Sequence, residues 1–149
     1  MSIKRTLQFL MSHPIGSKNK AETLKRFFRW QLSTRLTPYP VLPPFVGGAK
    51  LLVSRGMTRA TGNIYTGLHE FNDMAFLLHF LRNSDQFIDV GSNIGSYTLL
   101  GAKEVGANTI AIEPIPATFD ILETNIMLNK VQSNVKALNI GLGAEPGKL

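Results

Sequence analysis

The stretch Phe87-Ile88-Asp89-Val90-Gly91-Ser92-Asn93-Ile94-Gly95 constrains this chain more than any other. Phe87, Ile88 and Val90 form a compact apolar run, the pattern of a parallel strand buried on both sides, and predict a strand over about 86–90. Gly91 lets the backbone turn where a side chain would clash. Gly95 lets a ligand or the strand approach the first helical turn. From Ile94 to about Val105 the pattern is helical, so the turn opens onto a helix N-terminus whose free N–H groups favour an anionic or polar ligand. Asp89 is the one charge in the strand and lies at its carboxyl end, where open α/β sheets bind ligands. An ordinary βα turn would carry the same glycine pair, so a second feature is needed.

That feature follows directly. Asn108 to Ile112 reads as the next strand and ends in Glu113-Pro114. An acid about 20 residues past a glycine turn is placed to accept both ribose hydroxyls of a nucleoside. The glycines are spaced Gly-x-x-x-Gly, without the middle glycine that a dinucleotide's pyrophosphate requires. An adenosyl ligand without phosphates, S-adenosylmethionine, suits the turn better.

The 149 residues are one domain's worth, with 44% hydrophobic and 17% charged side chains, a globular composition. There is no cysteine, which excludes disulfides and thiolate metal sites. His13, His69 and His79 have no ligand spacing, so no metal is expected. No apolar run reaches the ~20 residues of a membrane span, and Leu7 to Met11 is too short for a signal peptide; a cytoplasmic protein is expected. Residues 1–60 hold eleven Lys and Arg against Glu22 alone, a balance of +10; residues 61–149 hold five against nine acids, a balance of −4, giving the overall +6. The basic third could face nucleic acid, an anionic membrane surface or an acidic substrate, or be a solvated face docked on the acidic remainder.

Along the chain, residues 3–12 predict a short helix stopped by Pro14 and Gly16, and 19–36 a second. Leu24, Phe27, Phe28, Gln31 and Leu32 form the second helix's apolar stripe, and Trp30, the only tryptophan, anchors it. Thr37 to Gly48, with four prolines and two glycines, predicts an extended linker. Ala49 to Ser54 predicts a strand, Arg55-Gly56 a turn, and Gly62 to Gly67 a loop or short strand. Phe71, Met74, Leu78 and Leu81 predict a helix from about 72 to 82 with Asn72 as N-cap. Pro116 opens a helix to about 129, with Phe119, Leu122 and Ile126 on its inner face. Val135 to Ile140 is the third strand, Gly141-Leu142-Gly143 closes it, Gly143 to Gly147 is a turn, and Lys148-Leu149 would begin another strand. Sequential strand, helix, strand at these lengths means parallel pairing through right-handed crossovers. Three strands are half of an open doubly wound sheet. The expectation is an amino-terminal fragment, or a gene that ends early, with the first strand's outer edge unpaired.

The run from Phe87 to Leu100, with Tyr97-Thr98 after the glycine turn, resembles the signature of FkbM-type methyltransferases. Ile112-Glu113-Pro114 with Phe119, Leu122, Asn125 and Asn129 is similar to that family's second block, and Asn139-Ile140-Gly141-Leu142-Gly143 with Gly147 to its third. Gly62 to Glu70 has the look of one branch of the family. The resemblance implies a Rossmann-like class I methyltransferase sheet, of which residues 61–149 would be the amino-terminal half. Residues 1–60 would be a basic helical extension and proline-rich linker. It implies S-adenosylmethionine as cofactor and transfer of a methyl to a hydroxyl oxygen of a sugar, polyketide or similar small molecule. Asp89, Gly91, Asn93 and Gly95 would line the methionine end, with Ser92 in the place of the family's usual alanine. Glu113 would hold the ribose hydroxyls, Pro114 and Ile115 would lie near adenine, and Asn139 and Gly141 beside the adenine edge.

No catalytic residue is assigned. His69 and Glu70 could reach the site or be loop polarity and a helix cap, and Tyr97 and Thr98 read as packing and capping groups. Three readings stay open: an O-methyltransferase; a non-catalytic fragment that associates through its open sheet edge; and, disfavoured, a nucleic-acid methyltransferase.

Overall fold

The computed structural model describes residues 3–145 and Gly147, the side chains of Thr58 and Arg59 excepted. The chain runs α1 (Ile3–Ser12), α2 (Pro14–Lys18), α3 (Lys20–Leu36), α4 (Thr58–Thr66), α5 (Phe71–Phe80), β1 (Gln86–Val90), α6 (Ser96–Leu99), β2 (Asn108–Ile112), α7 (Pro116–Leu128) and β3 (Val135–Leu138). A π-helical segment over Leu100–Val105 continues α6. The strands pair in parallel in the order β1-β2-β3, with Asp89 opposite Ala111 and Ala111 opposite Ala137. The predicted strand Lys148-Leu149 lies outside the described residues.

Strand alternation divides the sheet into two unlike faces. Ala111, Val135 and Ala137 pack with Leu99, Leu100, Leu122 and Ile126 in the core. Ile88 and Val90, on the other face, are 55% and 59% exposed. The expectation that β1 is buried on both sides is therefore corrected. The chain's core lies on one face of the sheet, and the other is open among the described residues.

The proline-rich segment is no free linker. Residues 41–53 form an antiparallel hairpin, with Val41 and Val53 exchanging backbone hydrogen bonds of 2.9 Å each way and Phe45 N–H donating to Ala49 O at 2.9 Å. On the return limb Ala49, Leu51 and Val53 alternate inward, each 1% exposed, into the same core as Phe27, Trp30 and Leu122. The N–H groups that point away from the hairpin bond to side chains of α7 and of its C-cap residue, Asn129. Leu52 N–H donates to Asn125 Oδ1 at 2.6 Å and Lys50 N–H to Asn129 Oδ1 at 2.8 Å. Asn129 Nδ2 returns a bond to Lys50 O at 2.7 Å, so one amide acts as a strand partner. Two asparagines a turn apart sit on one helix face, which is why both reach the limb.

Several local expectations also change. Residues 62–66 lie within α4 and Gly67 is its C-cap, because burial of Asn63, Ile64, Tyr65 and Thr66 outweighs weak helix propensity. Pro14 stops α1 but opens α2, with the His13 Nδ1 accepting from Ile15 N–H as a cap. On α3 the buried residues are Thr23, Phe27 and Trp30, whereas Phe28 and Leu32 of the predicted stripe are 62% and 59% exposed. Phe27 meets the Tyr65 ring at 5.3 Å and Gln31 Nε2 donates to Tyr65 Oη, so packing on α4 sets the helix's rotation. The N-cap of α5 is Glu70, not Asn72, because the helix already begins at Phe71. No helix among the described residues is long and apolar enough to cross a membrane.

Asn125 is fully buried and also donates from Nδ2 to Ile94 O at 2.8 Å. Asn125→Leu strands the Leu52 N–H and the Ile94 carbonyl, and is expected to cost roughly 2–5 kcal/mol in urea unfolding with an unchanged m-value. A loss below 1 kcal/mol would show that water replaces the amide.

Candidate functional site

The end of β1 turns sharply because three residues adopt left-handed backbone: Gly91 (φ 74°), Asn93 (φ 51°) and Gly95 (φ 93°). Glycine takes this conformation without a Cβ penalty, and asparagine tolerates it better than most residues. The Ile112 carbonyl, at the end of β2, accepts from Gly91 N–H at 2.9 Å and Ser92 N–H at 3.0 Å. Ser92 Oγ lies 2.9 Å from Asp89 O and 3.1 Å from Ile112 O, and its single proton serves one at a time. The hydroxyl of Ser92 is thus engaged within the turn.

Glu113 closes the arrangement. Only 5% exposed, its carboxylate accepts from Asn93 N–H through Oε2 at 2.9 Å and from Ile115 N–H through Oε1 at 3.0 Å. One acid therefore ties the glycine turn of the first strand to the chain leaving the second. Asn139 Nδ2 donates to Glu113 O at 2.8 Å and to Pro114 O at 3.2 Å, fixing that exit from the side of β3. Gly141 lies exposed in the irregular stretch beyond β3 and makes no hydrogen bond to these groups.

The Asp89 carboxylate turns inward beneath α6, where Thr98 Oγ1 donates to it at 2.6 Å. Burial raises its carboxyl above the ordinary carboxylate range; the Thr98 bonds oppose the rise and the charge of Glu113 adds to it. Thr98, read from sequence as a packing group, is the donor that makes a buried carboxylate tolerable there. Nothing in the linear spacing marks that role beyond i, i+9 proximity across the turn.

The residues before β1 reach the same end of α6. Tyr97 Oη donates to Glu70 Oε2 at 2.9 Å, and burial followed by this bond holds the phenol well above its ordinary range. Asn63 Nδ2 donates to Ser96 Oγ at 3.1 Å while its Oδ1 accepts from His69 N–H. The His69 ring instead packs on Phe9 and against Gly62, within the core. Glu70 is therefore beside the turn and His69 is directed away from it. Among the described residues no group of three or more His, Asp or Glu could hold a metal ion.

The two turn glycines differ in what surrounds them. A Cβ built on Gly91 meets nothing within 4 Å, whereas one on Gly95 would lie 2.7 Å from Leu122 Cδ1. The space over Gly91 is open, and a ligand could approach the backbone there without meeting a side chain. Glu113 also retains acceptor capacity, since each carboxylate oxygen has about two lone-pair sites and one bond is made to each. The residues present fit S-adenosylmethionine.

Two outcomes follow from this geometry. Gly91→Ala is expected to cost about 1–2 kcal/mol for the left-handed backbone alone, and Gly95→Ala about 1–3 kcal/mol more for the overlap with Leu122. Equal urea midpoints for the two variants would contradict the contact. For Asp89, a raised native pKa means the native state keeps its proton longer than the unfolded chain, so its contribution to stability falls as pH rises between the two values. Thr98→Val should lower stability by about 1.5–3 kcal/mol at neutral pH, with a smaller loss below the carboxylate range. A loss independent of pH would show that Thr98 acts through packing alone.

Part of the chain is similar to two fungal proteins. One is methyltransferase sdnD of Sordaria araneosa, 36% identical over 80 residues that span 53% of this chain and 31% of that protein. The other is Methyltransferase 1 of Beauveria bassiana, 45% identical over 67 residues that span 44% of this chain and 26% of that protein. The matched stretch thus spans less than a third of either relative. Among solved structures, P. horikoshii TYW2 in complex with MeSAdo superposes with a TM-score of 0.60 at 24% identity, over 74% of this chain and 39% of that one. No family model matches the chain. The likeness establishes the fold: a small parallel sheet of the Rossmann-like kind found in methyltransferase structures.

Proposed function

We propose that this chain forms the cofactor-holding part of an S-adenosylmethionine-dependent methyltransferase that methylates a hydroxyl oxygen of a small molecule or sugar. The observation that carries the reading is the buried Glu113 carboxylate, clamped between the glycine turn and the end of β2 with acceptor capacity to spare. The methyltransferases that the chain is similar to, and the shared fold, support the same reading. The hydroxyl acceptor rests on the resemblance of the Phe87–Leu100 run to FkbM-type enzymes.

In this reading Glu113 accepts the ribose hydroxyls. Asp89, Gly91, Ser92, Asn93 and Gly95 border the methionine end, Pro114 and Ile115 the adenine, and Asn139 and Gly141 the adenine edge. Ser92 contributes by holding the turn, since its hydroxyl is engaged internally. Bound S-adenosylmethionine supplies a methyl made electrophilic by its sulfonium, which leaves the protein mainly the work of orientation. The preset turn serves that purpose, because Gly91 and Asn93 already hold their left-handed backbone before a ligand arrives, which lowers the cost of ordering.

The test is calorimetric titration with S-adenosylhomocysteine, with an analogue lacking both ribose hydroxyls, and with NAD. The chain should bind S-adenosylhomocysteine at least about tenfold more tightly than the analogue, as a site built around a hydroxyl does. It should not bind NAD, and Glu113→Gln should erase the discrimination. Equal affinity for the two ligands in the unaltered chain would overturn the role given to Glu113.

A further inference from the structure

A second cleft lies between α3 and the hairpin, with a volume of about 340 Å³, within the roughly 300–1,000 Å³ of small-molecule sites. Arg26, Arg29 and Trp30 of α3, Pro43 and Pro44 of the hairpin and Ile64 of α4 line it. We propose that this cleft binds a small molecule carrying a carboxylate or phosphate on an apolar body, apart from the nucleoside site.

The charged residues that line it, Arg26 and Arg29 against Glu22, favour an anion. The only two ion pairs among the described residues both end on Glu22, which lies 3.9 Å from Lys25 and 3.4 Å from Arg26. Lys25 and Arg26 thus share a single acid, and among the described residues the guanidinium of Arg29 has no carboxylate partner. Guanidinium groups bind carboxylate and phosphate through a planar fork of donors, which a lysine cluster would not offer. The opposing wall is apolar and stiff. Pro43 and Pro44 there have fixed φ, and Trp30, next to Arg29 on α3, is 7% exposed, so the cleft needs little ordering to receive a ligand. Its small-molecule volume favours a compact anion over an extended polynucleotide.

The cleft is separate from the glycine turn. Ile64 of α4 faces the cleft, whereas the adjoining Asn63 bonds to Ser96 at the start of α6. None of the residues given to the nucleoside site lines it.

Trp30, the only tryptophan, lies in the cleft and reports on it directly. The experiment is titration of its fluorescence in the full chain with phenyl phosphate, benzoate and inorganic phosphate at constant ionic strength. A saturable change with phenyl phosphate or benzoate is expected, weaker with inorganic phosphate, and not displaced by S-adenosylhomocysteine. The two organic probes tell phosphate from carboxylate as the preferred head group. The double variant Arg26→Gln/Arg29→Gln should weaken binding by about tenfold or more, the loss of at least one charge-assisted hydrogen bond. Glu22→Gln should tighten it, by freeing Arg26 and removing the opposing charge, a gain that mere damage to the fold would not give. No saturable change, a change indifferent to both arginines, displacement by S-adenosylhomocysteine, or a response to a single-stranded oligonucleotide without one to phenyl phosphate would each overturn the proposal.

Discussion

A carboxylate that is 5% exposed would be costly to keep charged unless fixed donors met it on both oxygens. Glu113 meets that condition with the N–H groups of Asn93 and Ile115, and much of the site's geometry follows. Asn93 holds a left-handed conformation that costs a non-glycine residue free energy, and its N–H bond to Glu113 offsets the cost. The same bond keeps the glycine turn against the end of β2, where the Ile112 carbonyl takes up the next two free N–H groups. Charge, turn and sheet register therefore depend on one another. A lone glycine pair would not produce such a cradle.

A second set of polar groups connects the basic amino-terminal third to this cradle. Asn125 accepts from Leu52 N–H on the hairpin and donates to Ile94 O beside the turn. A fully buried amide that meets partners on both ends stabilises the packing it joins, whereas the same amide half-satisfied would weaken it. Asn129 repeats the device one turn later, at Lys50. The hairpin limb thus has a partner strand on one edge and asparagine amides on the other. Its apolar side chains complete the core on α7 instead of leaving the extension as a separate arm.

The sequence made some of this legible and hid the rest for physical reasons. The limits of β1 and β2, and α7 from Pro116, follow from short apolar runs bounded by glycine, proline and acid, signals that are local. The role of Gly95 was partly visible, since its spacing marks a close approach, though the partner is the Leu122 side chain. What failed depended on distant neighbours. Gly62 to Gly67 reads as loop or short strand because the segment has weak helix propensity with Gly62 inside it, yet it falls largely in α4, where the His69 ring lies where any Cβ on Gly62 would go. The buried face of α3 is not legible because Phe28 and Leu32 look as apolar as Phe27, and only contact with Tyr65 decides which turns inward. The π-helical segment at Leu100–Val105 leaves no trace in residue spacing. At the site, Glu113 and Asp89 stood out as acids at strand ends, whereas the hydroxyl of Thr98 became visible only once the turn had folded over Asp89.

In the proposed function the Glu113 clamp is the ribose-facing side of a nucleoside cradle. Amide hydrogen exchange at Asn93 and Ile115, followed with and without saturating S-adenosylhomocysteine, tests it most directly, because both N–H groups bond to the acid itself. These two amides are expected to be slow already in the free chain and to slow further when the ligand is added, with Gly91 slowing alongside them. Exchange at all three that stays unchanged while the ligand binds would place the nucleoside elsewhere and contradict the account.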